Sequence, residues 1–518
     1  MKALPIGIQD FKKLRSGNYL YVDKTEVYYN VFNGGTFYFL SRPRRFGKSI
    51  MLSTLKYLYQ GKKELFKGLW IEDKWEWEKT YPVIHVDLSK IDTRNSTLQN
   101  GLLNQMREHA KQFGIALRED SAAACFQQLI SELGNGENKC IVLVDEYDKP
   151  ITDFIAEDEI LKKHIKELKS FYGILKGADQ YLHKVVITGV SKYGKVSIFS
   201  DLNNLNDISM NAESAKICGY TQEELDLLFE DRFIFGAQKF KISIHELTAS
   251  VKSWYNGYSF DDDLSAKLYN PFSILNFFDK YQFKNYWFET GTPTFLMELI
   301  SQEKIDPARL EYLKATDIVF KSADIQHIDA LSLLYQTGYL TIKDISGHYE
   351  RRRYVLGFPN HEVRSSFMIY LLSQYSGESP TLVSSDVIIK IQDALWNRTW
   401  PEFFEVLNHV FSTVPYQIFN SNEAYYHSLV HVTLTLTGNL VLSELMSNNG
   451  RIDTVLETDD LVVIFEFKID SSADLALAQI HKKKYAERYG KKNKELVLIG
   501  VNFDSAKRNI TDYIVENL

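Results

Sequence analysis

A glycine, a lysine and a serine in direct succession, Gly47-Lys48-Ser49, stand between the apolar run Phe37-Tyr38-Phe39-Leu40 and the helical start Ile50-Met51-Leu52. Strand, turn, Gly-Lys-Ser and helix is the order a phosphate-binding loop needs. Backbone N–H groups at the helix N-terminus attract phosphate, the lysine reaches the outer phosphates, and the serine hydroxyl holds Mg²⁺. The expected nucleotide contacts are therefore Arg45, Phe46, Gly47, Lys48 and Ser49, with Arg44 and Arg45 as further cations for phosphate. The full motif also asks for a glycine five residues before Gly47, and Arg42 stands there. An ATPase further needs an acid at the end of a second strand. Cys140-Ile141-Val142-Leu143-Val144-Asp145-Glu146 supplies it, with Asp145 for the metal and Glu146 to polarise the attacking water. Thr188, at the end of the apolar Val185-Val186-Ile187, is placed to sense the γ-phosphate; a plain strand-to-loop cap fits it equally well.

A second chemistry lies near the C-terminus. In Leu461-Val462-Val463-Ile464-Phe465-Glu466-Phe467-Lys468, period-two alternation puts Glu466 and Lys468 on one face. A two-residue turn at Asp459-Asp460 pairs Thr458 with Leu461, and the same register sets Asp453 opposite Glu466, roughly 5 Å apart at Cβ. Like charges so placed need a counter-ion, and Mg²⁺ takes paired carboxylates plus water. Lys468 would face the same site and stabilise charge on a phosphate under attack. The plain alternative is a solvated hairpin face with one cross-strand salt bridge, which the nearly continuous apolar run around Glu466 opposes. His427 and His431, spaced four apart on a helical stretch, have no third ligand nearby and read as structural.

These residues need elements to position them. Strands at Phe37–Leu40, Val83–Leu88, Ile141–Val144 and Val185–Thr188 alternate with helical stretches, which predicts a parallel sheet covered on both faces. From Ala212 to Trp400 helices rich in Tyr and Phe dominate. A helix over Ile328–Tyr335, then strands at Gly338–Ile342 and Arg353–Leu356, suggest a winged-helix-like unit or simply a helical connector with a hairpin. A helix at Ala424–Leu436 follows, then strands at Leu440–Leu445, Ile452–Leu456 and Leu461–Phe467, a helix at Leu475–Tyr489 and a strand at Leu496–Val501. Three domains are expected: 1–212, 213–400 and 401–518.

The loop Phe39-Leu40-Ser41-Arg42-Pro43-Arg44-Arg45-Phe46-Gly47-Lys48-Ser49 resembles that of the bacterial AAA-ATPase-like family, in which Arg-Pro-Arg-Arg-Phe-Gly-Lys-Ser is the usual form. Tyr21-Val22-Asp23-Lys24-Thr25, Val144-Asp145-Glu146-Tyr147-Asp148, Thr188-Gly189-Val190-Ser191-Lys192 and Val196-Ser197-Ile198-Phe199-Ser200 match its pattern too. The C-terminal set, Arg451-Ile452-Asp453 with Glu466-Phe467-Lys468, is similar to the PD-(D/E)XK nuclease pattern. The resemblance implies an α/β chain: a P-loop NTPase parallel sheet with flanking helices, a mostly helical middle, and a PD-(D/E)XK nuclease-like domain. It implies metal ligation by Asp453, Glu466 and the Phe467 carbonyl, Glu444 as an extra acid on the preceding strand, and support or nucleic-acid contact from Gln479 and Tyr485. ATP and Mg²⁺ are the implied cofactors, with Mn²⁺ as the other metal for the nuclease site.

A net charge of −7 over 518 residues excludes a polybasic nucleic-acid coat. In residues 401–518, 11 Lys and Arg minus 16 Asp and Glu leaves −5, which weakens affinity for a phosphate backbone. Lys482-Lys483-Lys484, Arg488, Lys491 and Lys492 form a local basic stripe or an ordinary solvated helix face. The aromatic stretch Trp254–Phe260 reads as core. Cys125, Cys140 and Cys218 fit no zinc pattern or disulfide framework, the start lacks a signal-peptide core, and no apolar run has the length of a membrane span, so a cytoplasmic location without membrane is expected. The leading expectation is an ATP-binding and hydrolysing protein coupled to a Mg²⁺-dependent nuclease domain, acting on DNA ahead of RNA, in defence or mobile-element biology. The alternative is an ATP-driven switch whose nuclease-like domain only binds nucleic acid or a protein partner. A homo-oligomer or a regulatory partner is compatible with either.

Overall fold

The computed structural model describes residues 1–518 except 137–138, 156, 193–194, 200–201, 203, 288–295, 297–306, 321–328, 348–350, 377–386, 414–422, 438–439, 448–449 and 491–493. The chain divides into two units. One comprises 1–290 and 314–355, the other 291–313 and 356–518, so the middle stretch 213–400 is shared between them.

The first unit is built on a parallel sheet of β1 (Phe37–Ser41), β2 (Val83–Asp87), β3 (Cys140–Asp145), β4 (Leu182–Gly189) and β5 (Asn206–Asp207), in the order β2-β3-β4-β1-β5. The four expected strands are present: β1, β3 and β4 are one or more residues longer than expected, and β2 stops one residue short, at Asp87, whose side chain caps a short helical turn. β5 escaped the sequence reading because two residues cannot show a period. Strands β1 and β3 are buried along their whole length, as a sheet covered on both faces requires. Helices Leu98–Phe113, Ala122–Gly134 and Asp158–Gly177 cover one face and share a core with Phe39, Val86, Val144 and Ile187. The order matters for chemistry: β4 lies between the strand that carries the phosphate loop and the strand that carries the acid.

A helical subdomain follows, with helices Gln222–Leu228, Glu230–Phe240, Ile244–Tyr255 and Pro271–Lys280 around a Phe- and Tyr-rich core. Thr221 with Glu224, and Ser243 with Glu246, form capping boxes that fix two of the helix starts. Tyr255, Tyr258 and Phe260 are buried, as core packing predicts. The helix–hairpin unit is present as helix α2 (Ala330–Thr337; α1 is Lys48–Tyr59) and strands β7 (Thr341–Ser346) and β8 (Arg353–Gly357). With β6 (Leu313–Ala315) they form a three-stranded sheet β6-β8-β7.

The second unit carries a mixed sheet in the order β13-β12-β11-β10-β9. Its strands are β9 (Leu440–Ser447), β10 (Gly450–Glu457), β11 (Leu461–Ile469), β12 (Glu495–Asp504) and β13 (Asn509–Asn517). β11 and β12 run parallel and the other pairs antiparallel. Helix α3 (Glu423–Thr435) precedes β9, and α4 (Ala473–Lys482) joins β11 to β12. The expected helix to Tyr489 instead ends at Lys482, because Lys484 adopts φ 55° and starts a separate short turn, Tyr485–Arg488. Gly500, in register with Glu466, admits α4 onto the sheet: a Cβ there would lie 2.7 Å from Leu477 N. Backbone cannot yield as a side chain can. Gly500→Ala is expected to destabilise this unit by roughly 1–3 kcal/mol, read as a lowered urea midpoint at unchanged m-value.

Candidate functional site

The buried strand β1 runs straight into the phosphate loop, and Gly47, at φ 101°, turns the chain into α1 in the left-handed region that glycine tolerates. Lys48 is 6% exposed. Its Nζ donates to the carbonyls of Arg42 at 2.8 Å and Pro43 at 3.0 Å, so the ammonium closes its own loop. Burial lowers its pKa, and the carboxylates of Asp145, Glu146 and Asp148 pull it back up. Ser49 is partly buried as the second residue of α1.

Arg42 explains the missing glycine. It is 1% exposed. Nη1 donates to Ser41 O (2.9 Å) and Ser209 O (2.7 Å), Nη2 donates to Ser214 O (3.1 Å), and the guanidinium lies 4.4 Å from the centre of the Phe260 ring. The side chain ties the loop to the segment after β5. Phe46 packs edge-on against Tyr258 and Phe260, and its carbonyl accepts Gly219 N–H at 3.0 Å. Arg45 lies over Phe272 at 3.8 Å. The two side chains thus brace the loop, and their backbones remain part of it.

Asp145 ends β3 and is 3% exposed. Thr188 ends its run on the neighbouring β4, and its hydroxyl donates to Asp145 Oδ1 at 2.7 Å. The structure therefore brings together Asp145 and Thr188, from the ends of the adjacent strands β3 and β4, and Lys48, from the start of the helix that follows β1. Glu146 sits at φ 52°, and burial raises its carboxyl pKa against the opposing pull of Lys48. A carboxylate made more basic by its surroundings is suited to taking a proton from water. Asp148, which sequence reading left without a role, is 2% exposed and accepts from Val190 N (3.1 Å), Ser191 N (2.7 Å) and Ser191 Oγ (2.8 Å). It fixes the loop after Thr188; the signal was its place in Val-Asp-Glu-Tyr-Asp.

In the second unit, Thr458 N–H donates to Leu461 O at 2.8 Å, which is the expected two-residue turn. The β10–β11 ladder runs from Glu457–Val462 to Thr454–Phe465, ending one position short of Asp453 and Glu466. Asp453 Oδ2 accepts Phe467 N–H at 2.9 Å. Glu466 is 1% exposed. Its Oε1 takes Lys468 Nζ at 3.4 Å and the side-chain amide of Gln479, delivered by α4. Lys468 Nζ also donates to the Phe467 carbonyl at 3.2 Å. On β9 the pairs Ser443–Thr454 and Leu445–Ile452 flank Glu444, whose backbone so lies beside that of Asp453. The Glu444 side chain, like Lys491 and Lys492, lies outside the described residues. Tyr485 is a core residue beside Ile480 and Leu498, which removes it from any nucleic-acid contact.

His427 and His431 do not share a ligand. His427 donates from Nε2 to the Asp453 carbonyl at 2.6 Å and lies 2.9 Å from Thr454 Oγ1. His431 is buried, with its pKa pushed down to about 3. The donors at Asp453, Glu466 and Phe467 are all hard oxygens, which suit Mg²⁺ or Mn²⁺. The ammonium of Lys468 on two of them shows that the site draws positive charge. Among the described residues, no three His, Cys, Asp or Glu side chains are grouped to hold a metal by themselves. Cys125, Cys140 and Cys218 are free and buried, and no helix among the described residues is long and apolar enough to cross a membrane.

Comparison with known proteins agrees with this division. Residues 5–199 match the family described as Predicted AAA-ATPase, and residues 421–513 match the PD-(D/E)XK nuclease superfamily. A protein of Azotobacter chroococcum mcd 1, described as an uncharacterized protein in the vnfD 5′ region, is 35% identical over 527 residues, covering 100% of this chain and 99% of its own. Among solved structures, the Aeropyrum pernix ORC1 protein in complex with DNA aligns over 66% of this chain and 89% of its own at 10% identity and a TM-score of 0.25. With residues 5–199 and 421–513 matched and a relative alike from end to end, the chain belongs to the bacterial AAA-ATPase-like family and carries a C-terminal PD-(D/E)XK nuclease-superfamily domain.

Proposed function

We propose that the protein binds and hydrolyses ATP in its first unit and cleaves phosphodiester bonds of nucleic acid in its second. The observation that carries the second half is two carboxylates at the open end of the β10–β11 ladder: Asp453, whose Oδ2 accepts Phe467 N–H, and the buried Glu466, with Lys468 two residues on. A buried carboxylate near another is costly in a hairpin that does nothing else. Asp453, Glu466 and the Phe467 carbonyl would hold a divalent cation, with Glu444 as the additional acid. The cation supplies Lewis acidity to the scissile phosphate when bound. Lys468 donates to the oxygens that gain charge, and Gln479 and His427 hold Glu466 and the Asp453 backbone in place. In the first unit Lys48 binds the outer phosphates, Ser49 and Asp145 would hold Mg²⁺, Glu146 accepts the proton of water, and Thr188 fixes the Asp145 carboxylate.

A second reading has its own support. The net charge of −5 in residues 401–518 opposes tight binding to a duplex, and Lys468 already neutralises the metal-facing oxygens. A nuclease-like domain used for binding alone would look the same.

The test offers single- and double-stranded DNA and RNA with Mg²⁺ or Mn²⁺, with and without ATP, to wild type, Lys48→Ala and Asp453→Ala. Lys48→Ala is expected to lower ATP turnover by roughly 100- to 1,000-fold, the loss typical of one charge-stabilising donor. Because the Glu146 carboxyl is raised, turnover should climb with pH through its titration as the carboxylate becomes available. Cleavage that survives Asp453→Ala sinks the nuclease assignment. ATP hydrolysis without cleavage of any substrate favours the switch.

A further inference from the structure

Two residues at the end of α2 touch the loops of the phosphate site, and a third reaches it through Trp287. Gln336 is 5% exposed, and its Oε1 accepts Lys192 N–H at 2.6 Å across 144 residues of sequence. Its Nε2 is buried with no hydrogen-bond partner among the described residues. Lys192 closes the loop that follows Thr188, the same loop whose Val190 and Ser191 are held by Asp148 and whose Gly189 carbonyl accepts Arg42 N–H at 3.1 Å. Gly338 comes next, at φ 92°. A Cβ there would lie 2.7 Å from both Cβ and Cγ of Pro43, so helix end and phosphate loop are in tight contact. Tyr339 then meets Trp287 edge-on at 5.3 Å, and Trp287 Nε1 donates to Arg44 O at 3.1 Å. From Tyr339 the chain enters β7 and returns through β8 to residue 355, where it passes into the second unit.

We propose that Gln336 is a coupling residue outside the nucleotide site, and that the end of α2 reports occupancy of the phosphate loop to the β7–β8 hairpin. This rests on the reading of the first unit as an ATP site. The two states differ in one exchange. Lys48 holds the carbonyls of Arg42 and Pro43. With phosphate, the ammonium turns to the phosphate oxygens and Pro43 loses that tether. Pro43 is packed on Gly338, and close-packed contacts switch between discrete arrangements rather than deform smoothly. The idle Nε2 of Gln336 biases the same exchange, since a buried donor without an acceptor disfavours the arrangement that leaves it so. Gln336 touches no phosphate in this scheme and acts through the Lys192 backbone.

The experiment is hydrogen exchange on the full chain with and without Mg²⁺ and a slowly hydrolysed ATP analogue. In wild type the analogue should protect residues 42–49 and change exchange in 339–346 and 353–355 by at least about fivefold, the lower end of ordinary coupling between sites. Gln336→Leu, which keeps the bulk and removes both polar atoms, should still show protection at 42–49 but lose the hairpin response. Gly338→Ala, an independent wedge against Pro43, should weaken binding of the analogue by at least about fivefold although residue 338 contacts no nucleotide, because coupling is reciprocal. Should Gln336→Leu fail to fold, Gly338→Ala alone decides. Protection at 42–49 with an unresponsive wild-type hairpin overturns this proposal and leaves the ATP site standing. No protection at 42–49 overturns both. A hairpin response retained in Gln336→Leu, or unchanged affinity in Gly338→Ala, also overturns it.

Discussion

Arg42→Gly, which would complete the phosphate-loop motif on paper, is expected to disable the loop and destabilise the first unit by about 2–4 kcal/mol. Glycine would remove a guanidinium, on a side chain only 1% exposed, that donates to Ser41 O, Ser209 O and Ser214 O and lies on Phe260. Each carbonyl left without its donor costs roughly 1–3 kcal/mol, partly offset because a buried charge no longer has to be desolvated. The void left beside Phe260 adds to the loss. Lys48 is fixed to the carbonyls of Arg42 and Pro43, so a loop that swings free takes its lysine with it. The urea midpoint should fall and ATP binding should weaken in parallel. Arg42→Lys separates the causes: it keeps the charge but cannot fork to three carbonyls, and should lie between the two. Stability equal to wild type in Arg42→Gly would show that the arginine braces nothing.

What the sequence disclosed and what it withheld follow from the range of the signals. The strands β1, β3 and β4 are short apolar runs ending in chemistry, so both their type and the residues at their ends could be read. The hairpin register as far as Thr454 and Phe465, one position from Asp453 and Glu466, came from a two-residue turn and period-two counting alone, because a slip of one residue would have turned Glu466 to the wrong face. Arg42 was unreadable in its role, since its partners Ser209 and Ser214 lie far along the chain and are bonded through backbone atoms that any residue has. The same holds for Asp148, whose partners are N–H groups, and for His427, which meets a carbonyl. β5 and the long final strand β13 were missed for opposite reasons: one is too short for a period, and the other, Asn509–Asn517, is too polar to look buried. The helix end at Lys482 was set by a left-handed residue, Lys484, that is not a glycine and carries no sequence signal.

Asp453→Asn is expected to abolish cleavage while leaving the fold almost untouched, and it is the sharper probe of the two catalytic substitutions available at this position. Asp453 does two things. Its Oδ2 accepts Phe467 N–H at 2.9 Å, and its charge lies beside the residue that follows the buried Glu466. Asparagine keeps an acceptor for the N–H and has nearly the same shape, so the strand pairing survives, whereas alanine would lose both. Removing one of two neighbouring negative charges should even stabilise the metal-free protein slightly, by roughly 0.2–1 kcal/mol, because like charges close together on a strand pair repel. Binding of Mn²⁺ should then weaken and cleavage fall by more than the roughly 10- to 100-fold that losing an outer partner of a metal ligand costs. Gln479→Ala supplies that comparison, since Gln479 only holds Glu466 from α4. A gain in thermal stability together with loss of Mn²⁺ binding and cleavage is the signature of a carboxylate kept for a metal. Unchanged Mn²⁺ binding in Asp453→Asn would instead leave the pair as a structural feature of the hairpin and move the weight to the switch.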